Sequence, residues 1–181
     1  MITRILLTIA LVLCTGVVSQ TVAQKRDHLT PQEVDLVKEA QILDKRIDVF
    51  IKAAERRLMV INNSASANAK QLKKDSERWG ELPTGSRAEL VSDIARILDE
   101  AITNIDDVSS RDERNPLIPK SLRKLATAVN TIMGQLKPLG AQAKSDAEIA
   151  SFEMLNEDAQ SILEAANKLP AEAEKKAKKN K

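Results

Sequence analysis

Seven carboxylates crowd two short stretches of this chain: Asp99, Glu100, Asp106 and Asp107 in one, Glu153, Glu157 and Asp158 in the other. Such groups could relay protons or hold a hard cation. A calcium-type site needs several oxygens converging, generally from a loop with a glycine turn. These acids instead flank apolar residues at helical spacing, so they read as solvated helix faces. His28 is the sole histidine, and it falls in a segment, 24–29, expected to be a flexible stub. No imidazole is therefore expected where a Ser-His-Asp or Cys-His arrangement would need one. A helical di-iron site needs Glu-x-x-His on two helices, which one histidine cannot supply. Met59, Met133 and Met154 read as core fillers rather than haem ligands, and the five glycines form no phosphate-binding loop. The expectation is a protein that is not an enzyme and carries no cofactor or metal.

Two other groups of residues could act by contact. Lys175, Lys176, Lys178, Lys179 and Lys181 make a lysine-rich end, expected to be disordered over 170–181 because it has no large apolar residue. A tethered cation of this kind suits anionic lipid headgroups or envelope polymers. The second group is Ile42, Val49, Ala53 and Val60, an apolar line about 120° around a helix from the main stripe, counting about 100° per residue. It fits either flank packing or a seam for a protein partner or a second copy of the chain.

Aromatic residues are few: Phe50, Phe152, Trp79 and no tyrosine. Single-stranded nucleic acid is gripped by aromatic stacking, so a nucleic-acid partner is not expected. The formal charge of +2 falls to +1 without Arg4 and to −4 without the five terminal lysines. Only the end is basic.

Residues 1–23 read as a cleaved signal peptide. Arg4 gives the positive start, Ile5–Val18 is a mostly apolar run too short for a standard membrane span, and Thr21-Val22-Ala23 offers small residues for cleavage. Cys14, the only cysteine, would leave with it, so no disulfide can staple the remainder. The expected location is outside the cytoplasm, periplasmic or extracellular.

The elements that must position everything else are helical. Leu36, Ala40, Leu43, Ile47, Phe50 and Ala54 step by four and three. Val91, Ile94, Leu98, Ala101 and Ile105 repeat the pattern, as do Leu122, Leu125, Val129, Ile132 and Leu136, and then Phe152, Leu155, Ala159, Ile162 and Ala166. Thr30/Glu33, Ser86/Glu89 and Ser145/Glu148 have the spacing of capping boxes. The chaperone-like repeat L-T-x-x-Q is not made by "LTPQE", which has Glu33 where the repeat needs Gln and occurs once. Helices are expected near 31–62, 86–108, 119–137 and 146–169. They would form an all-α, antiparallel four-helix bundle with heptad-like packing over 30–169. The long polar connection 63–85 has room for a short helix from Ala67 to Trp79, with Trp79 as a plug on the bundle end. Lys38, Lys45, Lys52 and Arg56 fall opposite the first stripe, with Asp44, Asp48 and Glu55 beside them, as on a solvated outer face.

The expected function is an exported, non-enzymatic helical protein acting by protein or envelope-surface contact. The competing reading is a periplasmic holdase-type chaperone or binding protein. The leader makes a direct prediction: N-terminal sequencing of the protein from its native host finds Gln24 first. Intact Met1 in a membrane fraction would contradict it.

Overall fold

The computed structural model describes residues 26–65 and 69–170. The leader, the cleavage position and all five terminal lysines lie outside the described residues. Those described form six helices and no strand: α1 (Pro31–Glu39), α2 (Leu43–Ile61), α3 (Ala69–Trp79), α4 (Arg87–Arg111), α5 (Leu117–Gly140) and α6 (Asp146–Asn167). All-α architecture therefore follows the heptad spacing.

Local chemistry sets several of the boundaries. Thr30 and Glu33 close a reciprocal capping box at α1, with Pro31 in the first turn, and Ser86 and Glu89 do the same at α4. At α6 only half of the expected box forms. The Ser145 hydroxyl accepts from the Glu148 amide at 3.2 Å, but the Glu148 carboxylate turns to Arg87 at 2.7 Å and accepts from the Lys144 amide. Helix α3 ends at Gly80, whose φ of +65° is the left-handed conformation that glycine enters without steric cost.

Two helices depart from the expected bounds. The first stripe does not lie on one helix: the chain breaks at Ala40–Gln41–Ile42 and turns back. Helix α5 runs past the expected stop, through Pro138 to Gly140. Near a helix end a proline costs less than in the interior, and here it merely leaves the Gly134 carbonyl without its helical donor.

One apolar core joins α2, α4, α5 and α6. Helix α4 packs on α2 and α6, α5 packs on α6 and α2, and α4 and α5 share a smaller contact. Side-chain pairs fix the directions. Arg46 reaches Asn104 at 3.0 Å and Arg57 approaches Asp93, so α2 and α4 are antiparallel. Arg123 near the start of α5 donates to the Pro170 carbonyl, so α5 and α6 are antiparallel too. The α4–α6 and α2–α5 pairings are parallel, which corrects the expectation of antiparallel neighbours throughout. Arg87–Glu148 joins the first turns of α4 and α6. Lys124 at the start of α5 meets Asp44 at 2.6 Å and Asp48 at 2.7 Å at the start of α2. Short loops gave no hint of this arrangement; cross-helix charge pairs join the parallel helices. Among the described helices none is long and apolar enough to cross a membrane.

Leu98, Val129 and Ile162 are fully buried. Leu98→Ala is expected to cost about 2–5 kcal/mol through lost burial and the cavity left behind. Chemical denaturation checks this; an unchanged midpoint would mean that the α4 stripe is not core.

Candidate functional site

The densest chemistry lies where sequence reasoning placed none. Arg56, expected on the outer face, is 1% exposed, as is Arg57, and Glu33 is 0% exposed. Glu33 Oε1 accepts from Arg57 Nη1 at 2.7 Å and Arg56 Nε at 3.2 Å. Its Oε2 accepts from the Thr30 amide at 2.9 Å and lies 2.7 Å from Arg57 Nη2. One carboxylate thus caps α1 and neutralises part of two guanidiniums on α2. Main-chain oxygens take the remaining positive charge. Arg56 Nη2 donates to the carbonyls of Trp79, Gly80 and Glu81 at the end of α3. Arg57 donates to the Ala53 carbonyl at 2.9 Å and the His28 carbonyl at 2.6 Å. Burial lowers the Arg56 pKa against the opposing pull of Glu33, yet an arginine keeps its proton under such conditions.

The segment before α1 is built into this cluster, which corrects the expectation of a flexible stub for residues 26–29. Arg26 Nη2 donates to Asp93 Oδ2 at 2.8 Å, and Arg96 Nη1 donates to the Arg26 carbonyl at 3.0 Å. His28 Nε2 lies 2.7 Å from Glu100 Oε2, and Leu29 is buried in the core. Burial pushes the Asp93 carboxyl above its usual range, with Arg26 opposing. Trp79 does not plug the bundle end. It lies half-buried on the flank of α2, its ring 5.7 Å from the Arg56 guanidinium carbon.

A second buried carboxylate, Asp44, clamps α2 to α5. Lys124 and Lys120 bind it and hold its carboxyl below the usual range, against burial. Ser121 beside this clamp is fully buried with no partner for its hydroxyl. Burial pulls the Lys124 ammonium down, but its bonds to Asp44 and Asp48 outweigh that and raise its pKa. A lysine held protonated cannot act as the base that a serine nucleophile requires.

The acids first singled out do not converge. Glu100 is taken by His28, and Asp99 faces Asp158 across α4 and α6. Burial, then Asp99 and Glu157, raise the Asp158 pKa to about 6. Among the described residues no three His, Cys, Asp or Glu side chains are grouped to hold a metal. Of the second apolar line, Ile42 is 56% exposed, Val60 is half-buried, and Val49 and Ala53 are buried. The lysine end, Lys175–Lys181, lies outside the described residues.

No protein-family model, curated protein or solved structure matches this chain. What remains is its own geometry, and one surface feature stands out. A groove of about 1050 Å³ runs between α5 and α6. Met133, Phe152 and Leu163 line it, Asn130 and Asn156 edge it, and Ile149 at its end is 42% exposed. Gly134 is part of its lining, and a Cβ built there would meet nothing within 4 Å, although glycine inside a helix costs about 1 kcal/mol relative to alanine. The sequence signal for this opening was that single mid-helix glycine, four residues before Pro138. The signal for the buried cluster was Arg57, four after Ala53 and directly before Leu58, within an apolar run.

Two outcomes are expected. Glu33→Gln leaves two buried guanidiniums short of their counter-charge and costs about 3–5 kcal/mol, read by urea denaturation. For Asp158 the folded pKa of about 6 stands above the unfolded 3.8, so the native state holds the proton more tightly. That stabilisation is complete below the unfolded value and is lost as pH rises through about 6. Asp158→Asn is therefore expected to raise the thermal midpoint relative to the parent at neutral pH and to lose that advantage in acid. An equal gain at both would contradict the assignment.

Proposed function

We propose that this is an exported, non-enzymatic helical protein that acts by contact, and that the groove between α5 and α6 is its binding face. The four long helices serve as a four-helix bundle, with α1, α3 and the segment 26–30 laid against α2 on the other flank. The leader directs the chain out of the cytoplasm and is removed after Ala23. Outside, the lysine end adds weak attraction to anionic lipid headgroups or envelope polymers, worth about 1 kcal/mol per lysine near such a surface and screened by salt.

The observation that carries the reading is the groove itself, with Met133, Phe152 and Leu163 in its walls and polar side chains around them. An exposed apolar groove with a polar rim is what contact proteins present to a partner segment. The same concavity favours a second reading, a holdase that shields apolar stretches of unfolded clients. Light scattering from a thermally unfolded client protein separates the two. A holdase suppresses aggregation near equimolar ratio, and Gly134→Trp, which fills the groove, removes the suppression. A partner-specific contact protein leaves the aggregation unchanged. A Gly134→Trp variant that still protects the client as well as the parent would dismiss the groove.

A further inference from the structure

We infer that residues 26–42 form an arm that two copies of this chain can exchange. The argument starts at the break between α1 and α2. Ala40, Gln41 and Ile42 contain no glycine or proline. Alanine and glutamine are good helix formers. The stripe Leu36–Ala40–Leu43–Ile47 passes through the break in register. Side chains satisfy part of the α1 end, since Gln41 Nε2 donates to the Lys38 carbonyl and Arg46 Nε to the Ala40 carbonyl at 3.0 Å. The backbone there is still not that of a usual stop or start. Ala40 closes α1 at φ −76°, ψ 80°, outside the left-handed conformation of a usual stop. Ile42 opens α2 with no side-chain cap, although its type is among the worst at that position. Local sequence thus asks for one helix from Pro31 to Ile61.

The buried cluster forbids that helix within a single chain. Glu33 and Arg56 are 23 residues apart in sequence and bonded at 3.2 Å. On one continuous helix they would stand about 35 Å apart, at about 1.5 Å per residue. A monomer can satisfy the hinge or the cluster, and the structure shows that the cluster wins. Two copies satisfy both. With the hinge straightened, Glu33 of each copy meets Arg56 and Arg57 of the other, and Arg26, His28 and Leu29 reoccupy the same sites in trans. Exchange of an identical element needs no new surface, only a new hinge conformation. Two antiparallel helices in that register have their two-fold between Asp44 and Lys45. Ile42, the most exposed large apolar side chain of the described residues, then comes next to the second copy.

Opening a formed monomer breaks the cluster, so exchange happens during folding rather than afterwards. The full chain is unfolded in urea and refolded at low and at high protein concentration, and mass is read by light scattering on a sizing column. Refolding at high concentration is expected to give a dimer that persists on dilution, and refolding at low concentration a monomer. Gln41→Pro forbids the continuous helix and is expected to yield monomer at both concentrations. Gln41→Gly, which keeps the amide, disfavours it and is expected to lower the dimer fraction; it carries the reading if the proline variant does not fold. A parent that stays monomeric throughout would overturn the proposal. So would a dimer whose yield is unchanged by both hinge variants, since side-by-side association is indifferent to residue 41.

Discussion

The fold outside the core hangs on two adjacent arginines and one glutamate. Arg56 and Arg57 leave the same turn of α2 and are almost wholly enclosed. Between them they reach α1 through Glu33, the carbonyls ending α3, the His28 carbonyl and, at longer range, Asp93. Helix α1, the segment just before it and the end of α3 are all tied to this point. Taking charges out of water is expensive, and a buried ion pair repays the cost only where further hydrogen bonds satisfy the remaining groups. Here main-chain oxygens do much of that, while the buried Arg57 Nε has no hydrogen bond and lies 4.0 Å from Asp93 Oδ2. The arrangement specifies where the arm goes more than it adds to stability.

The hub also explains the shape of the surface. Helix α1 packs on α2 and α3 packs on α1. Val49 lies near Ala40 and Trp79 and Ala53 belongs to the main core, so both are buried although their line looked free for a partner. Among the described residues nothing comparable covers the groove between α5 and α6. Their outer face keeps a groove with apolar walls and amide edges, and Gly134 adds to the opening.

Legibility in the sequence followed the range of the interaction. Heptad stripes and capping boxes are local, and they placed α4, α5, α6, the α1 start and the α2 end within a few residues. The same spacing misassigned Arg56 to solvent, because angular position on one helix says nothing of what a distant segment lays over it. Glu33 was legible as a capping residue and not as a counter-ion, since its partners lie more than twenty residues away. The break at Ala40–Ile42 had no local sign, being forced by that same long-range bond. Parallel pairing of α2 with α5 was equally hidden: Asp44 looked like one more surface acid until Lys120 and Lys124 were brought to it. The groove announced itself only as a glycine in a helix.

If the arginine pair governs the arm, the arm should have a stability of its own, lower than that of the core and dependent on that pair. Amide hydrogen exchange of the full chain, compared with Arg57→Met and followed segment by segment, measures this directly. The account predicts that amides of residues 26–39 exchange faster in the variant while the central amides of α4 and α6 keep their protection. Unchanged protection in α1 would contradict it, as would equal losses in α1 and α4, which would make the arginines ordinary members of one cooperative core.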